Sequence, residues 1–437
     1  MSAEVNLTDR DGPLCAADVD AAVKRISGVV APTPLQLSER LSAMTGATVY
    51  LKREDLQSVR SYKLRGAYNL LMQLSDEERV AGVVCSSAGN HAQGFAHACR
   101  SMQINGRVYV PRKTPKQKRD RIRYHGGEFV ELIAVGSTYD LAAAAALEDV
   151  ARTGATLVPP FDDLRTMAGQ GTIAAEILDQ LDVGAPPACG GEPDLVIVPV
   201  GGGGCIAGIT TYLAERTSNT SVLGVEPAGA AAMMAALAAG EPVTLEHVDQ
   251  FVDGAAVNRA GTLTYAVLAA AGDMVSVTTV DEGAVCTAML DLYQNEGIIA
   301  EPAGALSVTA LRENDVVEPG STVVCLISGG NNDVSRYGEI LERSLVHLGL
   351  KHYFLVDFPQ EPGALRRFLD QVLGPNEDIT LFEYVKRNNR ETGAALVGIE
   401  MGSAEDYDGL LTRMEASDME VEVLAPDSPA YRYLINP

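Results

Sequence analysis

DLVIVPVGGGGCIAGI, residues Asp194 to Ile209, joins an unbroken apolar run to four consecutive glycines and then to a helical Ala/Ile pattern. A run that is apolar at every position reads as a strand covered on both faces, as in a parallel sheet. A turn into a helix needs one or two glycines, and four carry an entropic cost. Close approach of the backbone to a ligand explains them, and at a strand-to-helix turn the natural ligand is a phosphate. The run has neither the Gly-Lys-Ser/Thr ending of a Walker loop nor the GxGxxG spacing.

The same unit recurs on both sides of this stretch. Short β-branched runs lie at Ala47–Lys52, Gly82–Ser86, Gly106–Val110, Phe129–Ile133, Val222–Glu226, Met274–Val280 and Thr322–Ser328. Helical patterns such as Thr138–Arg152, Gly171–Leu181 and Asp281–Glu296 fall between them. Repeated βα units predict an α/β fold of open parallel sheets with right-handed crossovers, and such sheets bind ligands at the carboxyl ends of their strands. Gly184–Pro193, rich in Gly and Pro, is expected to be a surface connection.

From Lys351 the periodicity changes. His352–Phe358, Ile379–Val385, Ala394–Met401 and Met419–Leu424 read as strands, and Gly363–Leu373 and Asp406–Glu415 as helices. The order βαββαβ is that of a ferredoxin-like α+β sandwich. The boundary falls near Leu345–Leu350, which gives domains 1–345 and 346–437.

Composition narrows the function. The 437 residues carry a net charge of −24, which argues against a nucleic-acid partner. From residue 346 onward there are eight Lys or Arg against sixteen Asp or Glu, so the sandwich is no RNA-binding module either. The one basic cluster, Arg112–Arg123, reads as a solvated helix face. No apolar run approaches the length of a membrane span, and the N-terminal stretch lacks the apolar core of a secretory signal. Seven cysteines without a CxxC pair predict no disulfide framework and no metal site, and a reducing cytoplasmic setting.

Three further strand-end loops carry chemistry. SYKLRGA, Ser61–Ala67, puts Lys63 at a helix start, where the dipole lowers an amine's pKa and suits a lysine that attacks carbonyls. Ser86–Gly94, SSAGNHAQG, offers Ser87, Asn90 and backbone amides as a carboxylate cradle; Ser and Asn are also ordinary helix caps. Ser328-Gly329-Gly330-Asn331 ends the strand Thr322–Ile327 with one hydroxyl.

Together these loops resemble the fold-type II pyridoxal-phosphate (PLP) enzymes, the tryptophan synthase β-like two-lobed fold, and within them the threonine dehydratases. The shared hallmarks are S-x-K-x-R-G, SAGNHAQG, the tetraglycine loop and the late SGxN serine, all present in the family's order between about Ala31 and Arg343. The resemblance implies that Lys63 binds the cofactor covalently and takes the Cα proton. It implies that Gly201, Gly202, Gly203, Gly204 and the Cys205 backbone hold the phosphate. Cys205 stands where the family more often has leucine. Asn90 would meet the ring 3-oxygen and Ser328 the ring nitrogen. Ser87, Ala88, Gly89, Asn90 and His91 would receive the substrate carboxylate. Glu301, in AEPAGA, matches a further family position, and as a helix-start carboxylate it also has an ordinary explanation.

A serine opposite the ring nitrogen favours prompt β-elimination over a long-lived carbanion, and the cofactor phosphate could protonate the leaving hydroxyl. Related serine racemases use a serine as second base where Ala88 stands, which disfavours racemisation. DFPQEPGALRRF, Asp357–Phe368, resembles the first strand and turn of ACT-like domains, with Gly363 beside an amino-acid effector. The whole therefore implies a regulated L-threonine dehydratase of isoleucine biosynthesis, inhibited by isoleucine and homotetrameric. A serine or broad hydroxy-amino-acid dehydratase is the nearest alternative, since one methyl is discriminated only modestly. A non-catalytic amino-acid sensor is the other.

Overall fold

A computed structural model describes residues 12–184, 191–313, 316–384, 392–425, 428 and 431. Cys189, most of the Gly184–Pro193 connection and Val385 lie outside them. The described chain packs into two compact units. Residues up to Asp281 associate with Gly297–Asn332, and Glu282–Glu296 associates with residues from Asp333 onward. The helix Glu282–Glu296, which the βα rhythm placed among the catalytic elements, thus packs with the second unit. The expected boundary at 345/346 falls inside a helix, Tyr337–His347.

In the first unit the strands are β1 (Leu35–Leu37), β2 (Thr48–Arg53), β3 (Val83–Ser86), β4 (Gly106–Val110), β5 (Val130–Ala134), β6 (Thr156–Leu157), β7 (Leu195–Pro199), β8 (Ser221–Pro227), β9 (Val275–Val280) and β10 (Thr322–Ile327). They form two sheets, ordered β1-β2-β10-β7-β8-β9 and β5-β4-β3-β6. Every pairing is parallel except that of β1 with β2. β1 and β6 were not expected, because strands of three and two residues are too short to show a periodicity. The central strands β7 and β10 are buried almost throughout, as their unbroken apolar runs required.

One helix, Leu164–Gly184, organises the site from beneath. A Cβ on Gly169 would lie 2.6 Å from the Arg65 carbonyl, and one on Gly171 would lie 2.7 Å from the Gly208 carbonyl. Glycines therefore let this helix press against two others, Lys63–Leu71 and Gly204–Arg216, at backbone distance. The elements bearing the lysine and the tetraglycine loop share one support. Beside these crossings lies a buried ion network. Arg65 donates to Glu54 at 2.9 and 2.7 Å, to Glu176 at 2.6 and 2.9 Å and to Thr172 at 3.0 Å. Lys52 donates to Glu176 at 2.6 Å and to the Thr33 carbonyl at 2.7 Å.

The second unit contains β11 (Lys351–Pro359), β12 (Glu377–Tyr384), β13 (Thr392–Met401) and β14 (Glu420–Val423), an antiparallel sheet ordered β12-β13-β11-β14. Helices Ala364–Gln371 and Tyr407–Glu415 complete the βαββαβ order. Phe354, Val356, Phe358, Phe368, Val397, Leu410 and Met414 form its core.

Candidate active site

β2, β10 and β7 are neighbours in the large sheet, so the loops that follow them, carrying Lys63, Ser328 and Gly201–Gly204, emerge side by side. The Ser87 loop follows β3 in the other sheet. The Tyr62 amide donates to the Ser328 carbonyl at 3.2 Å, and Ser61 pairs with Gly329 in a β-bridge, which ties the first two loops together.

Lys63 opens its helix as expected. Its Nζ donates to the Pro160 carbonyl at 3.1 Å and lies 5.1 Å from the centre of the Tyr62 ring. Burial lowers its pKa to about 8. Desolvation of the amine is the principal cause, where the helix dipole was expected, and Cys205 and then Glu301 partly offset it.

Among the described residues, the amides of Gly201, Gly202, Gly203, Gly204 and Cys205 donate to no protein acceptor. Clustered amides without partners at the start of a helix make an anion cradle. The glycines have a second cause that was not anticipated. A Cβ on Gly202 would clash with the Phe161 ring, and one on Gly204 would lie 2.9 Å from Phe161 Cα. A Cβ on Gly203 would meet Met233, and Gly203 is also the one glycine of the four with a left-handed φ, +92°. At Gly202, Gly203 and Gly204 the protein side of the loop alone thus disfavours a side chain. The Cys205 thiol is buried, which pushes its pKa up to about 12, so only its backbone is chemically available at neutral pH.

In the Ser87 loop the residue before the helix is Gly89, and no side chain caps it. Ser87 Oγ instead accepts from the Gly89 amide at 3.3 Å. Asn90 donates to Glu301 at 2.5 Å and accepts from Asn331 at 2.7 Å; Asn331 also donates to the Val59 carbonyl at 2.8 Å. The His91 ring bonds the Val158 carbonyl through Nε2 at 2.8 Å, and burial together with Lys63 pushes its pKa down to about 4. A neutral imidazole with Nε2 held by a carbonyl brings no positive charge to a carboxylate, which leaves the His91 amide as its donor for one. Ser328 is buried, with Oγ 3.3 Å from the Ala303 carbonyl. Gly94 closes the motif for a packing reason: a Cβ there would lie 2.9 Å from the Leu64 amide.

Sequence reasoning missed Pro160 and Phe161, which act through partners far along the chain, and it quoted Asn331 in the SGxN loop without giving it a role. Of the two missed residues only Pro160, in Pro159-Pro160, carried a signal, that of a rigid connection. Gly363, the expected effector glycine, lies in the second unit with φ +92°, so backbone conformation alone requires a glycine there.

Glu301 is 5% exposed, and burial, aided by Asp253, raises its pKa from 4.5 to about 7. The folded state then keeps a proton that the unfolded chain releases above about pH 4.5. Stability must therefore fall as pH rises from about 4.5 to 7, by about 3 kcal/mol for this group. Buried Glu226 is raised to about 7 as well and adds a loss of the same sign. Denaturant unfolding of Glu301→Gln between pH 4.5 and 7.5 is expected to show a shallower decline than the parent. Equal slopes would mean that Glu301 is ionised in the folded protein.

A lysine of lowered pKa beside an anion cradle suits an enzyme that tethers an aldehyde cofactor bearing a phosphate. The chain belongs to the pyridoxal-phosphate-dependent enzymes: that family matches residues 26–329, and the C-terminal regulatory domain of threonine dehydratase matches residues 342–434. The chain is 82% identical, over the full length of both, to L-threonine dehydratase biosynthetic IlvA of Mycobacterium tuberculosis. It is 47% identical to the IlvA of Bacillus subtilis over 95% of this chain and 96% of that one. Among solved structures it resembles the processed form of threonine deaminase isoform 2 from Solanum lycopersicum, with a TM-score of 0.67 and 36% identity, covering 76% of this chain and 96% of that one. The residues present fit the cofactor, with partnerless amides for its phosphate and, for its aldehyde, an amine of lowered pKa held by one carbonyl. No described helix is long and apolar enough to cross a membrane.

Proposed function

We propose that the chain is a biosynthetic L-threonine dehydratase, which converts L-threonine to 2-oxobutanoate and ammonia on the route to isoleucine. The observation that carries the reading is the Lys63 amine, of pKa about 8 and bonded among the described residues to the Pro160 carbonyl, beside the partnerless amides of Gly201–Cys205. PLP, when bound, supplies the electron sink.

The chain's own residues do the rest. Lys63 anchors the cofactor and takes the proton from the substrate Cα. The amides of Gly201, Gly202, Gly203, Gly204 and Cys205 hold the phosphate. Asn90, already polarised by Glu301 and Asn331, is the partner for the ring 3-oxygen, and Ser328 for the ring nitrogen. The backbone of Ser87, Ala88, Gly89, Asn90 and His91 receives the substrate carboxylate. Glu301 sets the charge on the far side of Asn90. Catalysis is assigned to residues 1–345 and regulation to 346–437, with isoleucine binding the second domain near Gly363 and lowering activity. A cytoplasmic homotetramer is part of the same reading.

The test is an absorbance scan of the purified protein, addition of L-threonine with assay of 2-oxo acid, and then addition of isoleucine. A near-visible band that shifts with threonine, formation of 2-oxobutanoate and its suppression by isoleucine are expected. No band after addition of PLP would end the enzymatic reading in favour of an amino-acid sensor. Faster turnover of L-serine than of L-threonine would favour the broader dehydratase. Unchanged activity and thermal stability with isoleucine would remove the regulatory assignment.

A further inference from the structure

The Gly202 carbonyl accepts two hydrogen bonds from a single helix terminus. Thr264 Oγ1 donates to it at 2.7 Å and the Gly261 amide at 3.2 Å. Thr264 is fully buried and belongs to the helix Thr262–Ala270, whose capping residue, Gly261, has no side chain. The first amides of that helix are held by Asp162, a hundred residues earlier. Thr262 donates to its carboxylate at 2.9 Å, Leu263 at 2.8 Å and Thr264 at 3.3 Å. A Cβ on Gly261 would lie 2.5 Å from Asp162 Oδ1, so the glycine admits the borrowed cap. The residues just before Asp162 face the same loop: Phe161 packs on Gly202 and Gly204, and the Pro160 carbonyl receives Lys63.

A trans peptide is planar, so a carbonyl and the N–H that follows it point in opposite directions. Fastening the Gly202 carbonyl to Thr264 and Gly261 turns the Gly203 amide away from that helix. The Asp162 carboxylate fixes the terminus from which both donors come. We propose that Asp162 and Thr264 are positioning residues that aim the Gly203 amide at the cofactor phosphate. This rests on the assignment of the phosphate to the tetraglycine loop.

Full-length protein, stripped of cofactor, is titrated with PLP and with pyridoxal, which lacks the phosphate, following the near-visible band. Thr264→Val is expected to raise the Kd for PLP about tenfold, the size of one lost hydrogen bond to an oriented charged group. Its Kd for pyridoxal should stay unchanged, and Thr264→Ser should restore PLP binding. Asp162→Ala should act in the same direction, and Asp162→Asn, which keeps one acceptor oxygen, more weakly. Wild-type PLP binding in Thr264→Val, or an equal loss for PLP and pyridoxal, overturns the proposal, the latter because general loosening spares no part of the cofactor. If the parent protein itself binds PLP no better than pyridoxal, the phosphate assignment fails first, and the inference with it.

Discussion

Lys63→Ala is expected to remove the near-visible band and lower the rate of 2-oxo acid formation by about a thousandfold or more, because the proposed function makes one side chain both the tether and the base. Loss of folding would be a trivial cause, and the electrostatics at Lys63 separate the two. Its pKa in the folded chain is about 8, against 10.5 ordinarily. Between those values the unfolded chain holds the extra proton, so stability rises with pH through that window, and the full cost of the buried cation is present below about pH 8. At pH 7 that cost is about 3 kcal/mol in the cofactor-free protein. The cofactor-free variant should therefore unfold at an equal or higher temperature than the cofactor-free parent. A variant that is inactive and also less stable would leave the catalytic assignment without support. A variant that turns over threonine at the parental rate would end it.

Truncating Arg65 is expected to have the largest effect on stability. The guanidinium is fully buried and bonded to Glu54 and Glu176, with Lys52 and Thr33 completing their coordination. Thr33 donates to Glu54 at 2.5 Å. Forming such a network gains little net energy, because desolvation of the ions offsets their attraction. Removing one partner strands the others, which costs about 3–5 kcal/mol. Arg65→Ala should lower the denaturant midpoint accordingly and displace the helix that begins at Lys63. Arg65→Met with Glu54→Gln removes charge from both sides and should cost less than Arg65→Ala alone. If the double variant were the less stable of the two, stranded charge would not be the source of the effect.

Much of the site was legible because its signals are local. Lys63 at a helix start, four glycines after an apolar strand and SAGNHAQG between a strand and a helix each lie within about ten residues of chain. Asn90 was found as a motif residue, but its bonds to Glu301 and Asn331 span more than two hundred residues. The tetraglycine was read as serving a ligand alone. The Phe161 and Met233 contacts that also exclude side chains come from distant segments. The dipole was credited with the lysine's low pKa because a helix start is visible in sequence, whereas the density of protein around an amine is not.

The sequence by itself determined the order of the longer strands, the parallel character of the main sheets, the sandwich that follows and the four strand-end loops that carry the candidate site. Periodicity and turn residues act over a few positions, and so they are written in consecutive letters. Tertiary structure alone decided that β10 lies between β2 and β7, which brings three loops side by side. It also decided that Gly169 and Gly171 bring two functional helices onto one support, and that Asp162 caps a helix begun a hundred residues later. Those outcomes depend on which surfaces pack once the chain has collapsed, and sterics and desolvation act there between residues that no local pattern connects.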